Sequence, residues 1–250
     1  MTLISTAICK YGIIQASDSH LTGSTGEVTA GPKVFRLGFC QGALSLAGTY
    51  GVGAAPMNEW MSAFVSSYGK SPNPSIGDFA NRLADEIGAS STANSPRLFH
   101  IAGYKDESNG THPEFYFVRN IQGINPVTGT YEGVTGNYLV TEDFWTRDYA
   151  KAPSGMFAIG GSQRYFNGYP EGRIAYLGAM RRFREFYEQV WSEPGWKFRK
   201  PNSLDELVEF VTLELQAVNA LFTSSDYPAP YIGGEIQIEK IYAPPEAIDL

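Results

Sequence analysis

Thr2-Leu3-Ile4-Ser5-Thr6-Ala7-Ile8-Cys9-Lys10-Tyr11-Gly12-Ile13-Ile14-Gln15-Ala16-Ser17-Asp18-Ser19 stands directly behind Met1 and decides how the rest of the chain is read. Ile4–Cys9 and Gly12–Ala16 are strand-like runs that flank a Lys10-Tyr11-Gly12 turn, the signature of a β-hairpin. Moving outward, Gly23 to Gly31 is small and polar and reads as a loop. Lys33-Val34-Phe35-Arg36-Leu37 and Ala43-Leu44-Ser45-Leu46-Ala47 then form a second strand pair around a Gly38–Gly42 turn.

Two helices follow. Met57, Trp60, Met61 and Phe64 recur at helical spacing within Pro56–Tyr68. Ile76, Phe79, Ala80, Leu83 and Ile87 do so within Ser75–Gly88, with Ser75 and Asp78 as a start signal and Gly88 as a stop. Strands return at Leu98–Tyr104 and Glu114–Val118. Residues 121–155 are rich in Gly, Thr, Tyr and Pro and read as irregular, and Met156–Gly161 is strand-like. Helices are expected over Gly172–Trp191 and Ser203–Phe222, the second opened by a Ser203/Glu206 capping box, and a strand at Glu235–Ile241 closes the pattern. With no repeat and no flexible linker, residues 1–250 read as a single domain of the α+β class, with antiparallel sheets covered by helix pairs.

Composition narrows the function classes. The 250 residues carry a formal net charge of −7, which argues against non-specific nucleic-acid binding. Arg181, Arg182 and Arg184 are followed by Glu185 and Glu188 and read as a solvated helix face. There is no apolar run long enough to cross a membrane, and Lys10 interrupts the apolar start, so neither a membrane span nor a signal peptide is expected. Cys9 and Cys40 make no disulfide framework, and Cys9 reads as a small buried strand residue. His20, His100 and His112 are scattered, so no zinc site and no cofactor are expected. These absences point to the cytoplasm.

The order Thr2, Asp18-Ser19, Lys33-Val34-Phe35, Ala47-Gly48 resembles the proteasome-type N-terminal-nucleophile hydrolases, of the bacterial, single-subunit kind. The sixteen-residue step from Thr2 to Asp18 is the family's own, and the step to Lys33 is one residue short of it. Gly233-Gly234 before the last strand also looks like the family. The resemblance implies a four-layer αββα sandwich and a threonine peptidase that cleaves peptides or unfolded proteins, assembled in a ring of six or seven subunits, a form that in the family is usually stacked. Removal of Met1 would free the Thr2 amine. Thr2 is then the nucleophile with its own amine as base, Lys33 the neighbouring positive charge, Asp18 its orienting partner and the Gly48 amide the oxyanion donor. Ser162 and Asp226 are the nearest equivalents of the family's supporting serine and acid. Ser162 falls one place late in Gly160-Gly161-Ser162, and Ile232 stands where a serine is expected. By the same analogy Leu21, Gly31, Leu46, Tyr50 and Ala54 border a pocket for an apolar or aromatic side chain.

Each residue alone has an ordinary reading: Asp18 in a turn, Lys33 on a loop, Gly48 for backbone freedom. Three other functions stay open. They are a non-enzymatic ring subunit, an amidase of the same superfold acting on a small amide, and an unrelated β-rich binding protein.

Overall fold

The computed structural model describes residues 2–23, 25–90, 95–108, 110–124, 131–142, 163–226, 231–245 and 247. The chain order is β1 (Leu3–Cys9), β2 (Gly12–Asp18), β3 (His20–Thr22), β4 (Val28–Ala30), β5 (Val34–Leu37), β6 (Gly42–Gly48), β7 (Gly51–Val52), β8 (Ala55–Pro56), α1 (Met57–Tyr68) and α2 (Ile76–Ser90). It continues with β9 (Arg97–Glu107), β10 (Gly110–Arg119), β11 (Gly123–Ile124), β12 (Tyr131–Glu132), β13 (Leu139–Glu142), β14 (Gln163–Gly168), α3 (Pro170–Ser192), α4 (Leu204–Thr223) and β15 (Ile236–Tyr242). This is a mixed α and β protein with antiparallel sheets. One sheet runs β14-β1-β2-β15 and the other β13-β10-β9-β6-β5, with short two-stranded ribbons β3-β4, β7-β8 and β11-β12.

Every residue of β1 and β2 is buried, because both faces of these strands are covered. Strand periodicity divides their side chains. Leu3, Ala7, Ile14 and Ala16 pack against α3 and α4, alongside Tyr176, Leu207 and Val211. Ile8 and Ile13 instead meet Ala43, Ala102 and Phe115 of the second sheet. Ile4 likewise joins Ala47 and Leu98. The opposite face of the second sheet, with Leu44, Leu46, Phe99 and Ile101, packs on Met61, Phe64, Phe79 and Leu83 of α1 and α2. Thr2 and Ile4 share a face by the period of two, so the nucleophile candidate points the way Ile4 does, toward the β6 end that carries Ala47 and Gly48.

The helices form close to where periodicity expects them. Ser203 caps α4 by accepting the Glu206 amide at 3.2 Å, and Ser75 accepts the Asp78 amide at 3.1 Å ahead of α2. Gly88 does not stop α2, which runs on to Ser90; an unstrained glycine within a strongly amphipathic helix costs less than the apolar face gains. The Gly23–Gly31 segment is also more ordered than a loop. Val28 and Thr29 are β-branched, and the Gly23 amide bonds the Glu27 carbonyl at 2.8 Å, so β3 and β4 close into a hairpin. Within residues 121–155 short strands β11, β12 and β13 occur, the last pairing with β10. The strand-like Met156–Gly161 lies outside the described residues, and pairing along β1 falls to Gln163–Gly168.

Candidate active site

Asp18 is the last residue of β2, where the hairpin register sets it beside the start of β1. Its carboxylate is fully buried and fully used. Oδ1 accepts the Leu3 amide at 2.9 Å, and Oδ2 accepts the His20 amide at 3.2 Å and the Gly233 amide at 3.3 Å. Oδ2 also receives the Lys33 ammonium at 3.1 Å. One carboxylate therefore fixes the backbone next to Thr2, the chain leaving β2, the Gly233-Gly234 approach to β15 and the lysine.

Lys33 stands just before β5, with no exposed surface. Its backbone is anchored on both sides, the amide donating to Gln237 Oε1 at 2.7 Å and the carbonyl accepting Leu46 N at 2.9 Å. Its ammonium donates to Asp18 and to the His20 carbonyl. An ammonium has three donors, so one more remains to be directed. Burial pushes the Lys33 ammonium below the usual lysine range and the Asp18 carboxyl above the usual carboxylate range, each opposed by the attraction between the two.

Thr2 is itself buried, at 3% exposure, and its carbonyl accepts the Tyr169 amide at 2.8 Å. Its backbone is thus held on one side by Asp18, through Leu3, and on the other by the chain that leaves β14. Met1 lies outside the described residues.

Gly48 ends β6 with φ of +105°, and a Cβ there would stand 2.1 Å from the Pro96 carbonyl oxygen. Only glycine fits such a backbone. The loop after it is clamped by Arg97, which sequence reading did not single out. Its buried guanidinium donates to the Thr49 carbonyl at 3.2 Å, to the Gly51 carbonyl, and to the Tyr138 hydroxyl at 3.1 Å. The only sequence signal for Arg97 is a cationic residue opening an apolar strand.

Of the expected pocket residues, Leu21, Gly31 and Tyr50 meet. A Cβ on Gly31 would lie 2.6 Å from Leu21 Cδ1 and 3.1 Å from the Tyr50 hydroxyl. Tyr50 donates to the Pro32 carbonyl at 2.7 Å, and burial pushes its phenol up to about 12, so it stays a donor at neutral pH. Leu46 points the other way along β6, into the core under α1 and α2. Ala54 is exposed in the turn between β7 and β8. An open groove of about 690 Å³ runs past Ser19, His20, Gly31, Gly234 and Gln237. Thr2, Asp18 and Lys33 line neither this groove nor the two of similar size, about 640 Å³ between β5 and α1 and about 650 Å³ beside the β9–β10 turn.

The supporting pair is not assembled in the same way. Ser162 lies outside the described residues. Asp226 is exposed beyond the end of α4, and among the described residues no hydrogen bond or ion pair joins it to Thr2, Asp18 or Lys33. Ile232 is buried in the core under α3 and α4. Among the described residues no cluster of three or more His, Cys, Asp or Glu is placed to hold a metal ion, and no helix is long and apolar enough to cross a membrane. No family model matches the chain, and no curated protein is significantly similar to it in sequence.

Proposed function

We propose that the chain is a threonine peptidase of the proteasome-type N-terminal-nucleophile kind, with Thr2 as nucleophile once Met1 is removed. The observation that carries the reading is the single Asp18 carboxylate bonded both to the backbone beside Thr2 and to the buried Lys33 ammonium. Burying two opposite charges costs several kcal/mol per ion in desolvation, so the pair is a poor way to hold a fold together. It is a good way to keep a positive charge beside a nucleophile.

In this reading the Thr2 hydroxyl attacks the scissile carbonyl and its proton passes to the free α-amine, directly or through water. The C–O bond forms as the carbonyl π electrons move to oxygen, and the Gly48 N–H receives that oxyanion, a contribution of about 3–4 kcal/mol in other hydrolases. Collapse breaks the C–N bond, the ammonium returns its proton to the leaving amine, and an ester to Thr2 remains. Water then attacks the ester by the same route and restores the hydroxyl. Leu21, Gly31 and Tyr50 favour an apolar or aromatic side chain before the cut. The two sheets and their helix pairs are the layers of the proposed αββα sandwich, and a cytoplasmic ring of six or seven copies completes the proposal.

Turnover of fluorogenic peptides ending in an aromatic residue, with Met1-processed protein, tests the reading. Loss of cleavage in both Thr2→Ala and Lys33→Ala supports it; cleavage that survives both substitutions contradicts it. A second reading, a ring subunit without activity, is favoured by Ile232 at the expected serine position and by the exposed Asp226. It predicts no cleavage in the processed wild-type protein.

A further inference from the structure

A chain of side chains, buried but for the partly buried Asn167, crosses between the two sheets a few residues from Thr2. Asn167 Nδ2 donates to His100 Nε2 at 2.8 Å, which leaves the ring proton on Nδ1. His100 Nδ1 therefore donates to Thr6 Oγ1 at 3.0 Å. Thr6 in turn donates to Gln15 Oε1 at 2.8 Å, and Ser45 Oγ donates to the same oxygen at 2.8 Å. Gln15 closes the chain by donating to the Ala43 carbonyl at 3.4 Å. Thr6, Gln15 and Asn167 belong to the first sheet; Ser45, Ala43 and His100 belong to the second. Thr6, Gln15, Ser45 and His100 are all fully buried.

Around this chain the sheets meet through apolar, non-directional clusters, and at the far β5–β15 edge through Arg36, which donates to Glu239 at 2.6 Å and to the Lys240 carbonyl at 2.9 Å. Apolar faces fix spacing but tolerate a slide, whereas these buried donors and acceptors are satisfied in one register and are costly to leave unpaired. The strands joined are those that shape the candidate site. Thr6 lies on the same face of β1 as Thr2. Asn167 lies two residues before Tyr169, whose amide holds the Thr2 carbonyl. Ser45 lies on β6, which ends at Gly48.

We infer that Thr6 and His100 are positioning residues that hold the Thr2 end of the first sheet in register with the Gly48 end of the second. The inference rests on the reading of Thr2 as nucleophile for its catalytic consequence, but the backbone it positions can be observed without activity. Thr6→Val keeps the shape and removes the hydroxyl; Thr6→Ser keeps the hydroxyl. Two measurements apply to folded, Met1-processed protein. Amide hydrogen exchange at Leu3 and Tyr169 is expected to speed up by about tenfold in Thr6→Val, with α2 amides unchanged, and to stay near wild type in Thr6→Ser. Acylation of Thr2 by a β-lactone is expected to slow on the order of 10- to 100-fold at saturation in Thr6→Val, with little change in half-saturating concentration.

Unchanged exchange at Leu3 and Tyr169 in folded Thr6→Val overturns the inference, whatever the wild-type reactivity. If exchange responds but wild-type protein is not acylated, the nucleophile reading fails and the positioning of the Thr2 backbone stands. Should Thr6→Val not fold, Ser45→Ala, which removes one of the two donors to Gln15, is measured the same way with the same outcomes.

Discussion

At the scale of single residues, Lys33 is where structure and chemistry meet. Removing its ammonium leaves Asp18 buried without its ion-pair partner. Lys33→Ala is therefore expected to cost about 3–5 kcal/mol of stability, read in a denaturant melt, as well as activity. Retained stability in that variant would mean that the pair is less buried than the geometry makes it. His100 makes a second prediction. Burial holds its imidazole down to about 3, and the partners around it are Thr6, Asn167, Phe115 and Phe117, none of them charged. Between the unfolded value near 6.5 and about 3, the unfolded chain binds a proton that the folded chain refuses. Stability is then present above pH 6.5 and is lost as pH falls through that window, by about 1.4 kcal/mol per unit. His100→Gln removes the titration, so the difference between its stability and that of the wild type, followed by urea melts from pH 7 to pH 4, should narrow as pH falls.

That Asp18 lies beside the Thr2 backbone and pairs with Lys33 was legible in the sequence, because that spacing is set by one hairpin and one strand pair, whereas Leu46, Ala54 and Asp226 lie away from it. A two-strand hairpin with a short turn leaves little freedom in where Asp18 falls relative to Thr2. The Arg97–Thr49 and Thr6–His100 contacts were not legible, because they join residues 48 and 94 positions apart, the second through the stacking of two sheets. Nothing in the local pattern distinguishes a histidine that spans two sheets from one that is merely buried.

At the scale of elements, helices α2 and α4 were recoverable from apolar spacing and their capping serines. Ser203→Ala should cost about 1 kcal/mol and lower the melting temperature by about 2–4 °C. No shift would mean that the Glu206 side chain, which already bonds the Asn202 amide at 2.8 Å and Arg199, holds the helix start without the serine. The β3–β4 hairpin was hidden by its glycines and polar residues, since only two β-branched residues mark its second strand. Strand β14 was missed for a different reason. Gln163-Arg164-Tyr165-Phe166-Asn167-Gly168 has polar residues on both faces, and Arg164 and Asn167 find their partners in other layers.

At the scale of the whole molecule, two buried polar systems lie on opposite faces of the first sheet. Between the sheets is the His100 chain; under α3 and α4, Arg164 meets Glu214, which also accepts the Tyr176 hydroxyl at 2.9 Å, and Ser5 meets Tyr176 at 2.8 Å. Among the described residues, the Arg164 Nε and Nη1 and the Glu214 Oε1 have no hydrogen-bond partner. Such a pair is costly to break and cheap to replace. Glu214→Leu alone should destabilise by about 3–5 kcal/mol, whereas Arg164→Met with Glu214→Leu should recover most of that loss in a thermal or denaturant melt. A double variant no better than the single one would give the ion pair a structural role that its incomplete hydrogen bonding does not support.

The Asp18 carboxylate and the Tyr169 amide both hold the backbone at Thr2, and the most direct measurement is made there. Protein purified with its natural amino terminus is incubated with a β-lactone and its intact mass and adduct position are determined. The expected product is a chain lighter by Met1, carrying one acyl group on Thr2, with the adduct absent in Thr2→Ala and strongly slowed in Lys33→Ala. A chain that has lost Met1 yet takes no adduct, or an adduct that persists in Thr2→Ala, would contradict it.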